Sequence, residues 1–68
     1  MKTIYEKIKE LRIQKGFTQQ YVAEFLKIDR SNYSKYELGK LEVNLEILKQ
    51  LCILYDVSAD YLLGLKEI

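Results

Sequence analysis

The positions of helix-capping residues and glycines constrain this chain more than any other feature, because they divide its 68 residues into five short segments. Ser, Thr, Asn and Asp are favoured just before a helix, since their side-chain oxygens accept hydrogen bonds from its free N–H groups. Glycine is favoured just after a helix. The predicted caps are Thr18, Asp29, Asn44 and Ser58, and the predicted terminating glycines are Gly16, Gly39 and Gly64. With no proline and no alternating, strand-like stretch, the sequence predicts an all-α domain of five helices, the first from about Thr3 to Lys15.

Length and composition narrow the class of protein. A chain of 68 residues is expected to form one domain, residues 1–68, and 49% hydrophobic residues exclude a disordered chain. No apolar run approaches the roughly 18 residues of a membrane span, and the N-terminal segment lacks the apolar core of a signal peptide. The single cysteine favours a reducing compartment, so we expect a cytoplasmic protein.

The absence of histidine restricts the chemistry further. It excludes Ser-His and Cys-His catalytic arrangements and most zinc sites. We therefore expect a binding protein with no enzyme activity, no metal and no cofactor, and the sequence indicates no small-molecule ligand and no membrane contact.

Charge is distributed unevenly along the chain, although the formal net charge is only +1. Residues 1–40 contain nine basic and five acidic side chains, a net charge of +4, whereas residues 41–68 contain two and five, a net charge of −3. Such an asymmetry could orient the molecule toward a polyanion, or it could reflect two ordinary solvated surfaces.

The second and third predicted helices are joined by only about three residues around Lys27 and Ile28. Helices linked so tightly cross steeply, which is the helix-turn-helix arrangement. On the third helix, Tyr33 and Tyr36 share one face, suited to packing. The opposite face carries two cations separated by small hydroxyl side chains, a surface suited to the major groove of DNA. Its residues are Arg30, Ser31, Ser34 and Lys35.

Three separated motifs strengthen this interpretation. They are TQQYVA at residues 18–23, DRSNYSKYELGK at 29–40 and VSADYLLG at 57–64. In this order and spacing they resemble the phage-repressor or Cro class of helix-turn-helix domains, over about residues 4–64. The resemblance implies a compact five-helix, lambda-repressor-like domain with the helix-turn-helix at the second and third helices. It also implies a sequence-specific regulator of transcription, usually a repressor that binds double-stranded DNA as a dimer on a palindromic operator.

The resemblance assigns roles to individual residues. Arg30, Ser31 and Lys35 match the positions that usually read bases, and Gln19 matches a glutamine that binds a backbone phosphate and supports the recognition helix. The other candidates for contacts to phosphate or adjacent groups are Asn32, Ser34, Lys40 and Asn44. Arg12 and Glu37 match a partly buried ion pair that joins the first helix to the end of the recognition helix.

Some positions depart from the family pattern. Lys27 occupies a turn position that is commonly glycine, which predicts a positive φ at a residue with a Cβ atom. Asp56 replaces another frequent glycine, and Leu38 replaces a frequent asparagine before Gly39.

Apolar residues beyond the main helix stripes predict a contact between two copies of the chain. The candidates for this dimer contact are Ile47, Leu54, Tyr61, Leu65 and Ile68. The alternative function is a protein-interaction module, such as an antitoxin or anti-repressor, that keeps the fold without strong DNA binding. The modest net charge slightly favours this alternative.

Overall fold

The computed structural model describes residues 2–65 and contains five α-helices and no strand within that range. The helices are α1 (Ile4–Gln14), α2 (Gln19–Leu26), α3 (Arg30–Glu37), α4 (Leu45–Tyr55) and α5 (Ala59–Leu63). The predicted all-α class and the number of helices are confirmed. Three residues separate α2 from α3, and the two helices pack against each other as a helix-turn-helix.

Side-chain caps define most of the helix starts. Thr18, Asn44 and Ser58 each accept a hydrogen bond from the backbone N–H three residues further on, at 3.0, 2.8 and 3.1 Å. Thr3 and Glu6 form a reciprocal capping box at the start of α1. Asp29 occupies the predicted cap position of α3, but its side chain makes no capping hydrogen bond. Three of the four predicted caps therefore act through their side chains.

All five helices contribute to one core, which determines the outward face of each helix. α3 packs against α1 and α2, while α4 packs against α1, α2 and α5. The buried apolar side chains are Ile8, Leu11, Val22, Ala23, Leu26, Tyr33, Tyr36, Ile47, Leu48, Leu51, Tyr55 and Leu62. Because Tyr33 and Tyr36 point into this core, the opposite face of α3 points away from it.

Lys27 closes α2 in the left-handed conformation, with φ of 60°. The positive φ predicted for this position is confirmed, and Asp56 adopts the same conformation after α4, with φ of 55°. A side chain with a Cβ atom is strained in this region, whereas glycine is not.

Lys27→Gly is therefore expected to be more stable than Lys27→Ala by about 1 kcal/mol, because alanine retains the Cβ atom that causes the strain. The gain is limited because glycine also makes the unfolded chain more flexible. Urea unfolding followed by circular dichroism measures the difference. Equal stability of the two variants would show that the turn carries no such strain.

Candidate nucleic-acid interface

The outward face of α3 carries the residues that the sequence singled out for reading bases. Arg30, Ser31 and Lys35 are exposed, as is their neighbour Asn32, and Ser34 is partly exposed. Within residues 2–65, none of these five side chains forms a hydrogen bond or an ion pair. The structure thus brings the five candidates together on one helix, where their polar groups are free to bind a ligand.

A buried ion pair holds this helix in place. Arg12 of α1 donates to both carboxylate oxygens of Glu37 at the end of α3, at 2.6 and 3.2 Å. A third donor of the guanidinium binds the backbone carbonyl of Phe17 at 3.1 Å. The Glu37 side chain is only 3% exposed and that of Arg12 14% exposed. The fork geometry therefore fixes the orientation of the recognition helix relative to α1.

The environment of Glu37 keeps it ionised. Burial alone would raise the pKa of Glu37. The hydrogen bond and the positive charge of Arg12, together with the nearby Tyr33 hydroxyl and a hydrogen bond from Gln19, hold this pKa below its ordinary value of 4.5. The same hydrogen bond raises the pKa of Arg12. Both groups are charged at neutral pH, so the pair persists throughout the physiological range.

Gln19 links the start of α2 to the same carboxylate. Its Nε2 atom donates to Oε1 of Glu37 at 3.0 Å. A side-chain amide carries two N–H donors, so one donor supports α3 and the second remains for another acceptor. The expected support of the recognition helix is visible here, and a phosphate contact by the second donor is compatible with it.

Lys40 and Asn44 lie on the segment between α3 and α4. Lys40 is exposed, and its backbone N–H binds the carbonyl of Lys35 at 2.8 Å, which fixes the turn after α3. The Asn44 side chain is engaged as the cap of α4, through its oxygen and the N–H of Ile47. Its amide nitrogen is therefore the side-chain group that remains for a ligand.

Two buried tyrosine hydroxyls lie behind the recognition helix, a feature that the helix pattern did not reveal. The hydroxyls of Tyr33 and Tyr55 are buried, and neither makes a hydrogen bond of good distance and angle among residues 2–65, although the Tyr33 hydroxyl lies near the Glu37 carboxylate. Burial raises the pKa of Tyr55 to about 12 and also raises that of Tyr33, so both side chains are neutral. The pattern identified Tyr33 as a packing residue, but it could not show where the oxygen would lie.

Lys7 is a second feature that sequence reasoning missed. Although it is charged, it is buried, and its ammonium donates to the backbone carbonyl of Tyr61 at 2.7 Å, 4.9 Å from the centre of that residue's ring. This hydrogen bond links α5 to α1. A lysine on an amphipathic helix gives no local signal of such a role, because the partner is 54 residues away.

The candidates for a dimer contact differ in how far their side chains are exposed. Ile47 is only 7% exposed, because α2 and the rest of the core cover it, so its expected part in a dimer contact is wrong. Leu54 and Tyr61 are partly buried against the core, and Leu65 is 75% exposed. Ile68 lies outside the described residues. The surface also has a shallow groove of about 400 Å³. It is lined by Leu45, Leu48, Lys49, Cys52, Ile53 and Ala59.

Among residues 2–65, no cluster of three or more Cys, Asp or Glu side chains could hold a metal ion. In the same range, no helix is long and apolar enough to cross a membrane.

The chain is similar in sequence to known helix-turn-helix proteins. A sequence profile described as Helix-turn-helix matches residues 8–62. The SPbeta prophage-derived uncharacterized HTH-type transcriptional regulator YonR of Bacillus subtilis is 47% identical over 58 residues, which are 85% of this chain and 54% of the relative. The HTH-type transcriptional regulator ImmR of the same organism is 41% identical over 63 residues, 93% of this chain and 50% of the relative. This chain thus spans about half the length of these curated relatives.

A solved structure shows the same arrangement of helices. The P22 c2 repressor, crystallised in complex with a synthetic operator, superposes with a TM-score of 0.84. The two sequences are 25% identical, and the match covers 93% of this chain and 96% of the repressor chain.

Proposed function

The chain belongs to the Cro/C1-type helix-turn-helix family, and from this premise we propose that it is a sequence-specific DNA-binding regulator of transcription. One observation carries the proposal above all: α3 presents exposed polar side chains without partners inside the described molecule, while its other face is buried. The P22 c2 repressor, whose fold is similar, was crystallised with operator DNA. The single cysteine and the proposed ligand both favour a cytoplasmic location.

The proposed mechanism assigns separate tasks to base and phosphate contacts. α3 enters the major groove, where the Arg30 guanidinium can bind the O6 and N7 acceptors of one guanine. Lys35 reads a neighbouring acceptor, and Ser31 is small enough for the helix backbone to come close to the bases. The residues proposed to bind phosphate or adjacent groups, and so to set the register, are Gln19, Asn32, Ser34, Lys40 and Asn44. Occupying an operator in this way represses transcription by blocking the site.

We further propose that two copies bind one palindromic operator. A homodimer places its two recognition helices about 34 Å apart, one turn of DNA, so that each reads one half-site. The contact is proposed on the exposed apolar side of α4 and α5, where Leu45, Ile53 and Leu65 are accessible. Selection of bound sequences from a random duplex pool tests this: a palindromic consensus with two chains per duplex is expected, and a single half-site with one chain would contradict it.

A salt titration tests DNA binding itself. Each phosphate neutralised by a cation changes the slope of log K against log salt concentration by about −0.9. Lys40 is the cation proposed to bind phosphate, so a slope of about −1 per chain is expected. Fluorescence anisotropy with a labelled duplex provides the affinities. A flat line would reject the proposal and favour the protein-interaction module instead.

Arg30→Ala is expected to weaken binding to the selected duplex by about 1–3 kcal/mol and to relax the base preference at one position, because the arginine fork is lost. Lys9→Ala, which removes the same charge from an exposed position on α1, is the matched control and should change affinity much less. Equal weakening on all duplexes would mean that Arg30 contacts only phosphate. The measurement is the Kd for the consensus and for single-base variants of it.

A further inference from the structure

We infer that Leu38 reads the C5-methyl group of a thymine in the major groove and so adds an apolar contact to the polar readout of α3. This inference rests on the proposed DNA binding and identifies a specificity-determining residue beyond the candidates discussed above. Leu38 is a large apolar residue, yet 65% of its surface is exposed.

The direction of Leu38 follows from the geometry of α3. Its φ and ψ of −84° and −4° are close to helical, so it continues the helix by one residue beyond Glu37. At 100° per residue, it lies about 80° from Arg30, while the centre of the buried tyrosine face lies at about 270°. Leu38 therefore points almost directly away from the core, along the middle of the face that also carries Ser31 and Ser34.

Leu38 also lies next to the base-reading residues along the helix axis. It is three residues after Lys35 and four after Ser34, the spacings at which side chains on one face are neighbours. With a rise of about 1.5 Å per residue, it lies about 12 Å from Arg30, a distance that spans three to four base pairs. A helix lying in the groove can thus present both residues to DNA.

The surrounding charges favour DNA over a protein partner for this leucine. The cations Lys35 and Lys40, three residues before and two after Leu38, are exposed. The acidic residue next to Leu38 in the sequence, Glu37, is turned inward and neutralised by Arg12. Exposed cations around Leu38 favour a polyanionic partner such as DNA. The thymine methyl is the apolar group that base edges offer in the major groove. An apolar side chain within this cationic face therefore matches a thymine.

The test removes the methyl group from DNA and the side chain from the protein. In the consensus duplex, each thymine is replaced in turn by deoxyuridine, which lacks only the C5-methyl group. The Kd is measured for the unmodified protein, Leu38→Ala and the control Ile13→Ala. For the unmodified protein, deoxyuridine at one position per half-site is expected to raise the Kd about fourfold, because one methyl group fewer is buried. Leu38→Ala should bind the thymine duplex more weakly and show no further loss with deoxyuridine at that position. Ile13→Ala, which truncates an exposed apolar side chain on α1 away from the proposed DNA and dimer contacts, should keep the fourfold response.

The outcomes separate this inference from the proposed function. If Leu38→Ala responds to deoxyuridine as the unmodified protein does at every position, or if no position affects the unmodified protein, Leu38 does not read a methyl group, although DNA binding stands. If the unmodified protein binds no duplex, both proposals fail. Leu38 is exposed, so its replacement should leave the fold intact, and the circular dichroism spectrum of Leu38→Ala checks this.

Discussion

Glu37→Ala is expected to lower the free energy of unfolding by about 3 kcal/mol, because it leaves the Arg12 guanidinium shielded from water without its counter-ion. The value lies at the lower end of the range for buried pairs, since the Arg12 side chain keeps 14% of its surface exposed. The variant also loses the hydrogen bond from Gln19. Three kcal/mol is a large share of the stability of a small domain, so the urea concentration at the unfolding midpoint should fall clearly. Urea unfolding at neutral pH provides the measurement.

Two comparisons separate the ion pair from general effects of substitution. The double variant Arg12→Met with Glu37→Leu replaces the pair by apolar groups and should recover most of the lost stability, because neither charge is left without a partner. Glu10→Ala removes the partner of Lys2 in an ion pair whose side chains are 41% and 57% exposed. That surface change should have an effect below about 1 kcal/mol. A loss as large as that of Glu37→Ala would contradict this account.

The same pair predicts how stability depends on pH. Because the pKa of Glu37 is lower in the folded state than its ordinary value of 4.5, the pair stabilises the fold fully above that value. Its contribution is lost as the pH falls from 4.5 through the lower pKa of the folded state. In the Arg12→Met, Glu37→Leu double variant, stability should fall less steeply in this acidic range. Identical pH profiles would show that Glu37 does not contribute.

Tyr33→Ala is expected to lower the free energy of unfolding by about 3–5 kcal/mol, because it removes a fully buried aromatic ring and leaves a cavity behind the recognition helix. Tyr33→Phe keeps the ring and removes only the hydroxyl. That hydroxyl makes no hydrogen bond of good geometry among the described residues, but it lies close enough to the Glu37 carboxylate to help lower its pKa. Its loss should therefore lower the free energy of unfolding by less than about 1 kcal/mol.

The contrast between the two variants identifies what Tyr33 contributes. Urea unfolding gives both stabilities, and the Kd for DNA reports whether α3 keeps its position. Tyr33→Phe should bind DNA as the unmodified protein does, since the ring alone positions the helix. A loss above about 1.5 kcal/mol for Tyr33→Phe would mean that the hydroxyl has a bound partner, such as a buried water.

Local signals predicted the helices well because helix starts and ends depend on nearby residues. Thr18, Asn44 and Ser58 cap the predicted helices, and Lys27 has the predicted positive φ. The sequence also predicted which face of α3 points outward, since Tyr33 and Tyr36 define the opposite face. Each of these features depends on residues a few positions apart.

The sequence was less informative wherever distant segments meet. Ile47 looked available for a dimer contact because it widened the apolar arc of α4, but the packing of α2 against α4 buries it. Lys7 is buried only because α5 folds back onto α1, and the pattern of α1 alone gives no sign of this. The outward direction of Leu38 became informative only once its exposure was known.

The contact between Lys7 and Tyr61 determines the smallest fragment of this domain that can fold by itself. A helix of five residues such as α5 is not stable in water by itself, so it exists only while it is docked. A fragment ending at Asp56 would leave the Lys7 ammonium without its carbonyl and would remove Leu62, which is fully buried, from the core. Such a fragment is therefore expected to lose cooperative melting, even though it would retain every residue proposed to touch DNA.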